Sequence, residues 1–410
     1  MNWICCQLGA REHYSVPRGL HRRGLLEGLI TEAWVPPSSA LTKLPGVFGD
    51  RLRQRYHDAL ADAKVLHFSA STIAFETSAS LARSRNIWDS TISRNNWFQS
   101  QAVHCLEQLR RRDDQRSGGV VFSYSYAARK ILIAARELGC TTILGQIDPG
   151  PAEERIVAEV CDLNGDPVAD WQRVPTSYWD AWREECDLCD HIVVNSPWTR
   201  RALVSEGLPE EKIHIVPIAY DPPDQASRFT RIYPKSFNAL RPLRVLFLGS
   251  LIPRKGIHEM LKATTLMKTA PVEFNFVGAS TTELALQSTE TPRVRWMGPV
   301  ARERVHDFYR EADVFMLPTH SDGFGLTQLE AMAWGLPVIA SKNCGEVVRH
   351  ESNGLVLPTV TAEAIAEAIN WCLRNAEALD PMSDCATRTC NEFRVDGVVS
   401  QLLRCCENLP

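Results

Sequence analysis

The run Ser321-Asp322-Gly323-Phe324-Gly325-Leu326-Thr327-Gln328-Leu329-Glu330 combines two glycines, two carboxylates and the start of an apolar helical pattern. Gly323 and Gly325 let the backbone turn tightly and approach a ligand closely. A helix opening near Leu326 aims free N–H groups and the positive end of its dipole at that turn, which suits a phosphate or diphosphate. Glu330 follows Gly325 by five residues. That is about 7–8 Å of helical rise, which places its carboxylate roughly one sugar ring beyond a bound phosphate, in reach of a ribose diol. Asp322 stands before the helix, on the other side of the anion site, where a second polyhydroxylated group would meet it. The plain alternative is a glycine-rich strand-to-helix turn with Asp322 as an N-cap and Glu330 solvated. A second segment weighs against it: Phe247-Leu248-Gly249-Ser250-Leu251-Ile252-Pro253-Arg254-Lys255-Gly256 also leads from a strand through a loop into a helix. Arg254 and Lys255 can neutralise the two charges of a diphosphate leaving group. The segment is neither G-x-G-x-x-G nor G-x-x-x-x-G-K-[ST], so it carries no dinucleotide fingerprint and no Walker loop.

Both segments need strands behind them, and the pattern supplies these. Short β-rich runs alternate with longer amphipathic stretches, as βα units do when they wind around a parallel sheet. In the first half the expected strands are Trp3–Gln7, Val65–Phe68, Val120–Tyr124, Thr142–Gln146, His191–Asn195 and Ile213–Pro217. The second half restarts with Arg244–Leu248, Glu273–Val277, Val294–Met297, Val314–Leu317 and Val338–Ala340, with helices near 256–269, 302–311, 326–334 and 362–374. Between the halves, Pro217 to Pro242 holds Pro222, Pro223 and Pro234, too broken for a helix or central strand. That stretch is the expected interdomain linker. At the end of the chain Val395, Val398, Val399, Leu402, Leu403 and Cys406 form one helical stripe, weakened by Gly397, that must dock somewhere. Two doubly wound domains in series leave a cleft between the carboxyl ends of two sheets, where such folds bind ligands.

Composition narrows the classes. The 410 residues are 44% hydrophobic and 23% charged with net charge −4, which excludes collagen-like, coiled-coil and disordered chains. No basic stripe argues for nucleic acid as a partner. The densest basic cluster, Arg110 to Arg112, is followed at once by Asp113 and Asp114 and reads as a solvated helix end. No run approaches the ~18 apolar residues of a membrane span, and the N-terminus lacks the flank and core of a signal peptide, so a cytosolic protein is expected. Thirteen cysteines, including the pairs Cys5/Cys6 and Cys405/Cys406, suit reduced thiols. The lone C-x-x-C, Cys186 and Cys189, falls at helical spacing with Trp179 and Trp182 and reads as core.

These segments together resemble the retaining glycosyltransferases of family 4, which have the GT-B fold. The family's E-x7-E element appears as Asp322 through Glu330, and its G-x-x-x-x-x-K-G loop as Gly249 through Gly256. Asn353-Gly354-Leu355-Val356 resembles the run that closes the donor site, and Asn195-Ser196 with Lys212 to Pro217 resembles the end of the acceptor-side domain. The likeness covers about residues 185–375 well. It implies two Rossmann-like doubly wound α/β domains facing across a cleft. An acceptor-side domain would span 1–221, a linker 222–242, a nucleotide-sugar-binding domain 243–385, and a terminal helix 386–410 returning to the first domain. Glu330 would hold the ribose hydroxyls and Asp322 the donor sugar near its reacting carbon. The backbone of Gly323, Phe324, Gly325 and Leu326 would hold sugar hydroxyls and phosphate, and Lys255 the diphosphate with Arg254 as helper. No cofactor or metal is expected, because cationic side chains and a helix N-terminus do that charge work. The implied reaction moves a hexose from a UDP- or GDP-sugar to a hydroxyl of a sugar, glycan or lipid-linked acceptor with retention, in glycan, polysaccharide or glycolipid synthesis. Weak peripheral membrane contact follows by the same analogy. Rival readings are a silent GT-B nucleotide-sugar binder and a GT-B sugar-nucleotide epimerase.

Three departures from the family pattern redirect the site. Ser250 stands where an arginine is frequent, so one phosphate contact is either missing or supplied by Arg254. Asp322 is shorter than the usual glutamate. No histidine follows the third or fourth strand, which leaves Tyr124 and Asp148 to face sugar or acceptor hydroxyls. Gly9, at the carboxyl end of the first strand, would approach the diphosphate, with Arg11, His13 and Tyr14 lining the cleft.

Overall fold

The computed structural model describes residues 2–43, 49, 52–82, 86–111, 118–165, 173–280 and 293–406. Two parallel sheets carry it. The first runs β1 (Trp3–Gln7), β2 (Leu26–Thr31), β3 (Val65–His67), β4 (Val120–Tyr124), β5 (Thr141–Gln146), β6 (His191–Val194) and β7 (Ile213–Ile215), in spatial order β3-β2-β1-β4-β5-β6-β7. The second runs β8 (Leu243–Leu248), β9 (Val272–Val277), β10 (Val294–Gly298), β11 (Val314–Leu317), β12 (Val338–Ala340) and β13 (Gly354–Val356), in order β10-β9-β8-β11-β12-β13. Helices cover both faces, so β1, β4 and β11 are buried along their whole length, as their largely apolar runs require. This is the α/β, doubly wound, two-domain architecture expected. In each sheet the winding reverses between neighbouring strands, β1 and β4 in the first and β8 and β11 in the second. The crevice at such a switch point is open at the strands' carboxyl ends.

Two strands lie outside the expectation. Glu27 and Gly28 interrupt the apolar pattern of β2, yet Glu27 is paired within the domain by Arg110 at 3.5 Å. Arg110 is itself buried, which corrects its reading as a solvated helix end, while Arg112 to Asp114 lie outside the described residues. β13 is three residues long and is the Gly354–Val356 run already singled out. Cys186 and Cys189 pack with Trp182 in one apolar cluster, as their spacing suggested.

The proline-rich stretch is not a free linker. Past the single helical turn Asp224–Ser227, Arg231 donates to the carbonyls of Tyr309 (2.6 Å) and Trp334 (3.0 Å), and buried Tyr233 donates to the Asp313 carbonyl at 2.7 Å. Proline forbids regular structure there, and aromatic and guanidinium side chains anchor the chain to the second domain instead. The return crossing falls at Phe393–Arg394. Ala386 and Cys390 of the helix Leu379–Glu392 still pack in the second domain, so a boundary at 385/386 would cut that helix. The two crossings touch where the Tyr220 N–H donates to the Phe393 carbonyl at 2.8 Å.

The terminal helix Val395–Cys406 then docks its stripe on the first domain, where Val395, Val398, Val399 and Leu402 join Trp3, Tyr14, Val16 and Leu20. Contact with the helix Ser15–Arg22 is close enough that a Cβ on Gly19 would stand 2.4 Å from Val399 Cγ2. Alanine gains about 1 kcal/mol of helix propensity over glycine, but overpacking against a stiff β-branched partner costs about 1–3 kcal/mol. Gly19→Ala is therefore expected to lower the urea midpoint; a raised midpoint would mean that the terminal helix gives way freely. Among the described residues, no helix is long and apolar enough to cross a membrane.

Candidate functional site

The Gly249–Gly256 and Ser321–Glu330 segments meet at the second sheet's switch point. The loop after β8 ends in the tight turn Pro253–Lys255, and the loop after β11 runs from Pro318 into the helix Thr327–Ala333. Backbone bonds join them: His320 N–H and Thr319 Oγ1 both donate to the Arg254 carbonyl, at 2.8 and 3.0 Å. Lys255 Nζ thereby reaches Asp322, forming an ion pair in which both side chains are largely shielded from solvent. Arg254 Nη1 lies 3.5 Å from Asp322 Oδ1 and donates to the Ser321 carbonyl at 2.9 Å. Burial alone would raise the Asp322 carboxyl, but Lys255 and Arg254 outweigh it and hold the group below its ordinary value. Among the described residues no acceptor takes the N–H groups of Gly325 and Leu326, which stay open at the helix start.

The first domain closes on this loop. The Gly323 carbonyl accepts from Ser196 Oγ at 2.6 Å, and a Cβ on Gly323 would lie 2.2 Å from the Ile147 carbonyl oxygen. Trp198 Nε1 donates to Ser321 Oγ at 3.2 Å, and that hydroxyl donates to Glu153 Oε2 at 2.9 Å. Glu153, from the helix Pro151–Asn164 after β5, also stands 3.4 Å from Arg254 Nη1. A carboxylate of the first domain thus shares a cation with Asp322 of the second. Burial pushes Glu153 up to about 7, Asp148 and Asp322 push the same way, and Arg254 pulls against them.

That shift has a sign. Folded Glu153 binds its proton more tightly than the unfolded chain, whose ordinary value is 4.5, so its stabilising contribution is complete below pH 4.5 and lost as pH rises through about 7. At about 1.4 kcal/mol per unit, wild type should lose up to about 3 kcal/mol relative to Glu153→Gln between pH 5 and 8. Urea midpoints at the two pH values measure this; equal changes in both proteins would show that Arg254 keeps Glu153 ionised throughout.

On the far side of the loop, Glu330 accepts from the Tyr309 hydroxyl at 2.8 Å and edges a cavity of about 430 Å³ between the domains. Arg302 enters it from the second domain and donates to His13 Nε2 of the first at 2.6 Å. Burial, then Arg302, Arg18 and His57, lower His13 to about 4, so its ring is neutral at pH 7 and accepts that bond. Glu12, His13 and Tyr14 all hold left-handed backbone angles, φ 49°, 51° and 60°, an uncommon run for residues with side chains that turns the segment after β1 sharply beside the cavity. Among the described residues no group of three or more His, Cys, Asp or Glu is placed to hold a metal ion.

Comparison with known proteins bears on the second domain most directly. The family model described as glycosyl transferases group 1 matches residues 242–375. The match is confined to the second domain. The chain is 28% identical over 203 residues to the amylovoran biosynthesis glycosyltransferase AmsK of Erwinia amylovora, covering 46% of this chain and 48% of the relative. It is 26% identical over 262 residues to the D-inositol 3-phosphate glycosyltransferase of Corynebacterium urealyticum, covering 58% and 61%. The chain thus spans about half to three fifths of these relatives' length. Among solved structures, Anabaena Alr3699/HepE in complex with UDP aligns at TM-score 0.65 and 16% identity over 100% of both chains. Sucrose-phosphate synthase from Thermosynechococcus elongatus aligns at 0.68 and 15% over 100% and 99%. At these identities the likeness shows the fold, which is GT-B.

The structure brings Lys255 and Arg254 to Asp322 on the loop that also carries Gly323, Gly325 and Leu326, while Glu330, on the helix that follows, lines the larger cavity. Phe324 contributes differently: its side chain is buried against Phe393, and its carbonyl accepts from Gly345 N–H and Gln328 Nε2. Ser250 is exposed on its loop, its carbonyl accepting from the Ile252 N–H. In the first domain, Gly9 donates to Glu32 at 2.7 Å, and Arg11 lies over the Tyr124 ring at 5.7 Å. Tyr14 does not line the cleft. It is 1% exposed and packs edge-on against Trp34, because the left-handed turn drives it into the core. Tyr124 is likewise buried, although its edge reaches a smaller cavity with Asp148. The sequence reading missed Glu153, Arg302 and Tyr126. Glu153 and Arg302 lie on element starts after glycine or proline turns, a weak signal. Tyr126 carries none, since its left-handed φ of 74° is visible only in the fold.

Proposed function

We propose that the chain is a retaining glycosyltransferase that moves a hexose from a nucleotide-diphosphate sugar to a hydroxyl acceptor in glycan, polysaccharide or glycolipid synthesis, without a metal. The observation that carries this reading is the Lys255, Arg254 and Asp322 cluster beside the open start of the helix that carries Glu330 to the edge of a cavity. A diphosphate there would take the two cations that Asp322 now holds. Fixed cations placed where charge develops on the leaving group are worth most in a site closed to water. Glu330 would bond the ribose, Asp322 would face the sugar near its reacting carbon, and the acceptor would attack from the face the nucleotide leaves. The relatives named as glycosyltransferases favour glycosyl transfer, and the UDP in the HepE structure favours a nucleotide-sugar donor, UDP first.

Thermal unfolding with UDP, GDP and ADP, with and without a divalent metal, tests the reading. A ligand at 100 times its Kd adds about 2.7 kcal/mol by mass action, a shift of several degrees. One nucleoside diphosphate should stabilise the chain equally with and without metal; no shift with any of them would overturn the donor site.

A further inference from the structure

Between the first domain's switch point and the long helix Ile87–Arg111 lies a cavity of about 170 Å³ that the donor wall does not use. Drug-sized pockets begin at roughly 300 Å³, so this one has room for a single ring and not for a chain. Ser123 and Ser125, at the carboxyl end of β4, help line it. Both are almost fully buried, 1% and 2% exposed, and their hydroxyls have no hydrogen-bond partner in the structure. A buried hydroxyl without a partner is destabilising, and each can donate once and accept twice. Such groups at a cavity wall are unspent recognition capacity. Asn95 and Thr91 face them from the helix, and the Tyr178 ring, stacked on Tyr126 at 5.1 Å and 18°, gives an aromatic wall. The charged groups lining the cavity are Arg11 and Asp148, one of each sign.

Asp148 also fixes where the cavity sits relative to the donor loop. Its Cα lies 3.2 Å from the place a Cβ on Gly323 would occupy, and its carboxylate accepts from the Tyr126 hydroxyl and the Gly150 N–H. Tyr126 is held in its strained conformation by Glu185, which accepts its N–H at 2.6 Å and those of Ala128 and Arg129 at 2.8 and 3.1 Å. Burial raises the Asp148 carboxyl, a shift that Tyr126, Gly150, Arg11 and Arg254 only partly offset.

We infer that this cavity is the acceptor subsite and that it takes one uncharged hexopyranose ring, with hydroxyls on Ser123, Ser125 and Asn95 and a face on Tyr178. The inference rests on the transferase reading above and adds the acceptor's chemical class. Balanced wall charge and hydroxyl-rich lining favour a neutral polyol over a phosphorylated or carboxylated sugar, which would leave a charge unmatched.

The test uses the full chain and methyl glucoside, galactoside and mannoside, with glucose 6-phosphate and galacturonate as the anionic arm. Binding is measured by calorimetry with and without whichever nucleoside diphosphate shifts the melting point. At least one neutral glycoside should saturate, tighter than either anion. Ser125→Ala and Asn95→Ala should weaken it about 5- to 30-fold. Ser125→Ala should melt no lower than wild type, because it removes an unpartnered hydroxyl, and this separates recognition from a structural role. An octyl glucoside arm distinguishes a ring on a lipid carrier, which gains affinity from the tail, from a free or glycan-terminal ring. Tenfold tighter binding of an anion, wild-type affinity in both variants, or no binding of any glycoside while a nucleotide binds would each overturn the assignment. Glycoside binding without any nucleotide shift would instead remove the donor reading and leave the cavity a sugar site.

Discussion

Lys255→Ala is expected to reduce release of nucleoside diphosphate from the sugar nucleotide by about 10²–10³-fold, the loss seen when one preorganised charge-stabilising donor is removed. Lys255 Nζ is paired with Asp322 inside the site, so the substitution also withdraws a partner from a shielded carboxylate. Removing one member of a buried ion pair costs about 3–5 kcal/mol when nothing replaces it. Here Arg254 remains 3.5 Å from Asp322, and part of the charge is still matched. Asp322→Asn separates the two effects, because it removes the pair while keeping the lysine's charge for the diphosphate. If Lys255→Ala melts no lower than Asp322→Asn yet binds the nucleoside diphosphate far more weakly, the lysine acts on the ligand. Turnover within threefold of wild type in Lys255→Ala would remove it from the catalytic machinery.

The meeting of the Asp322 loop with Lys255 was legible in the sequence because the residues of each segment are contiguous. Asp322, the glycines and Glu330 lie on one strand-to-helix passage, and Lys255 on the matching passage one strand away, so spacing and strand order together place them. The first-domain half of the cleft was less legible, because its groups are gathered from separate segments by tertiary contact. Glu153 matters through Ser321 and Arg254, residues over a hundred positions distant. Tyr126 depends on Glu185 for its backbone conformation, and no local pattern announces that bond. Tyr14 was misplaced for a related reason. Its position after β1 suits a cleft residue, but three consecutive left-handed residues rotate its ring into the core beside Trp34. Arg110 and the proline-rich stretch show the same limit: charge and proline predict exposure and irregularity, whereas Glu27 and the carbonyls met by Arg231 bury them.

Gly323→Ala is expected to lower kcat by about 10²-fold while leaving nucleoside diphosphate affinity within about threefold, since misplacing a positioned group by about 1 Å can cost that much. The backbone angle at Gly323 is one that alanine adopts, so the substitution brings no conformational strain and tests the contact alone. Its Cβ would meet the Ile147 carbonyl oxygen at 2.2 Å and Asn195 Nδ2 at 3.0 Å. One is main chain, and the other is fixed by its own bond to that carbonyl at 2.9 Å, so neither yields easily. The loop must then back away from the first domain, carrying Asp322 away from Asp148 and the acceptor side of the cleft. Lys255 and Glu330 belong to the second domain and move with the loop, which is why the nucleotide should still bind. Ser196→Ala serves as the mild comparator. It removes the 2.6 Å bond to the Gly323 carbonyl without adding an atom, a change worth about 0.5–1.5 kcal/mol, and should lower kcat by about tenfold or less. A Gly323→Ala enzyme with wild-type kcat would mean that turnover proceeds with the two domains parted at this point, and that the closed contact between Ile147 and Gly323 belongs to the resting protein alone.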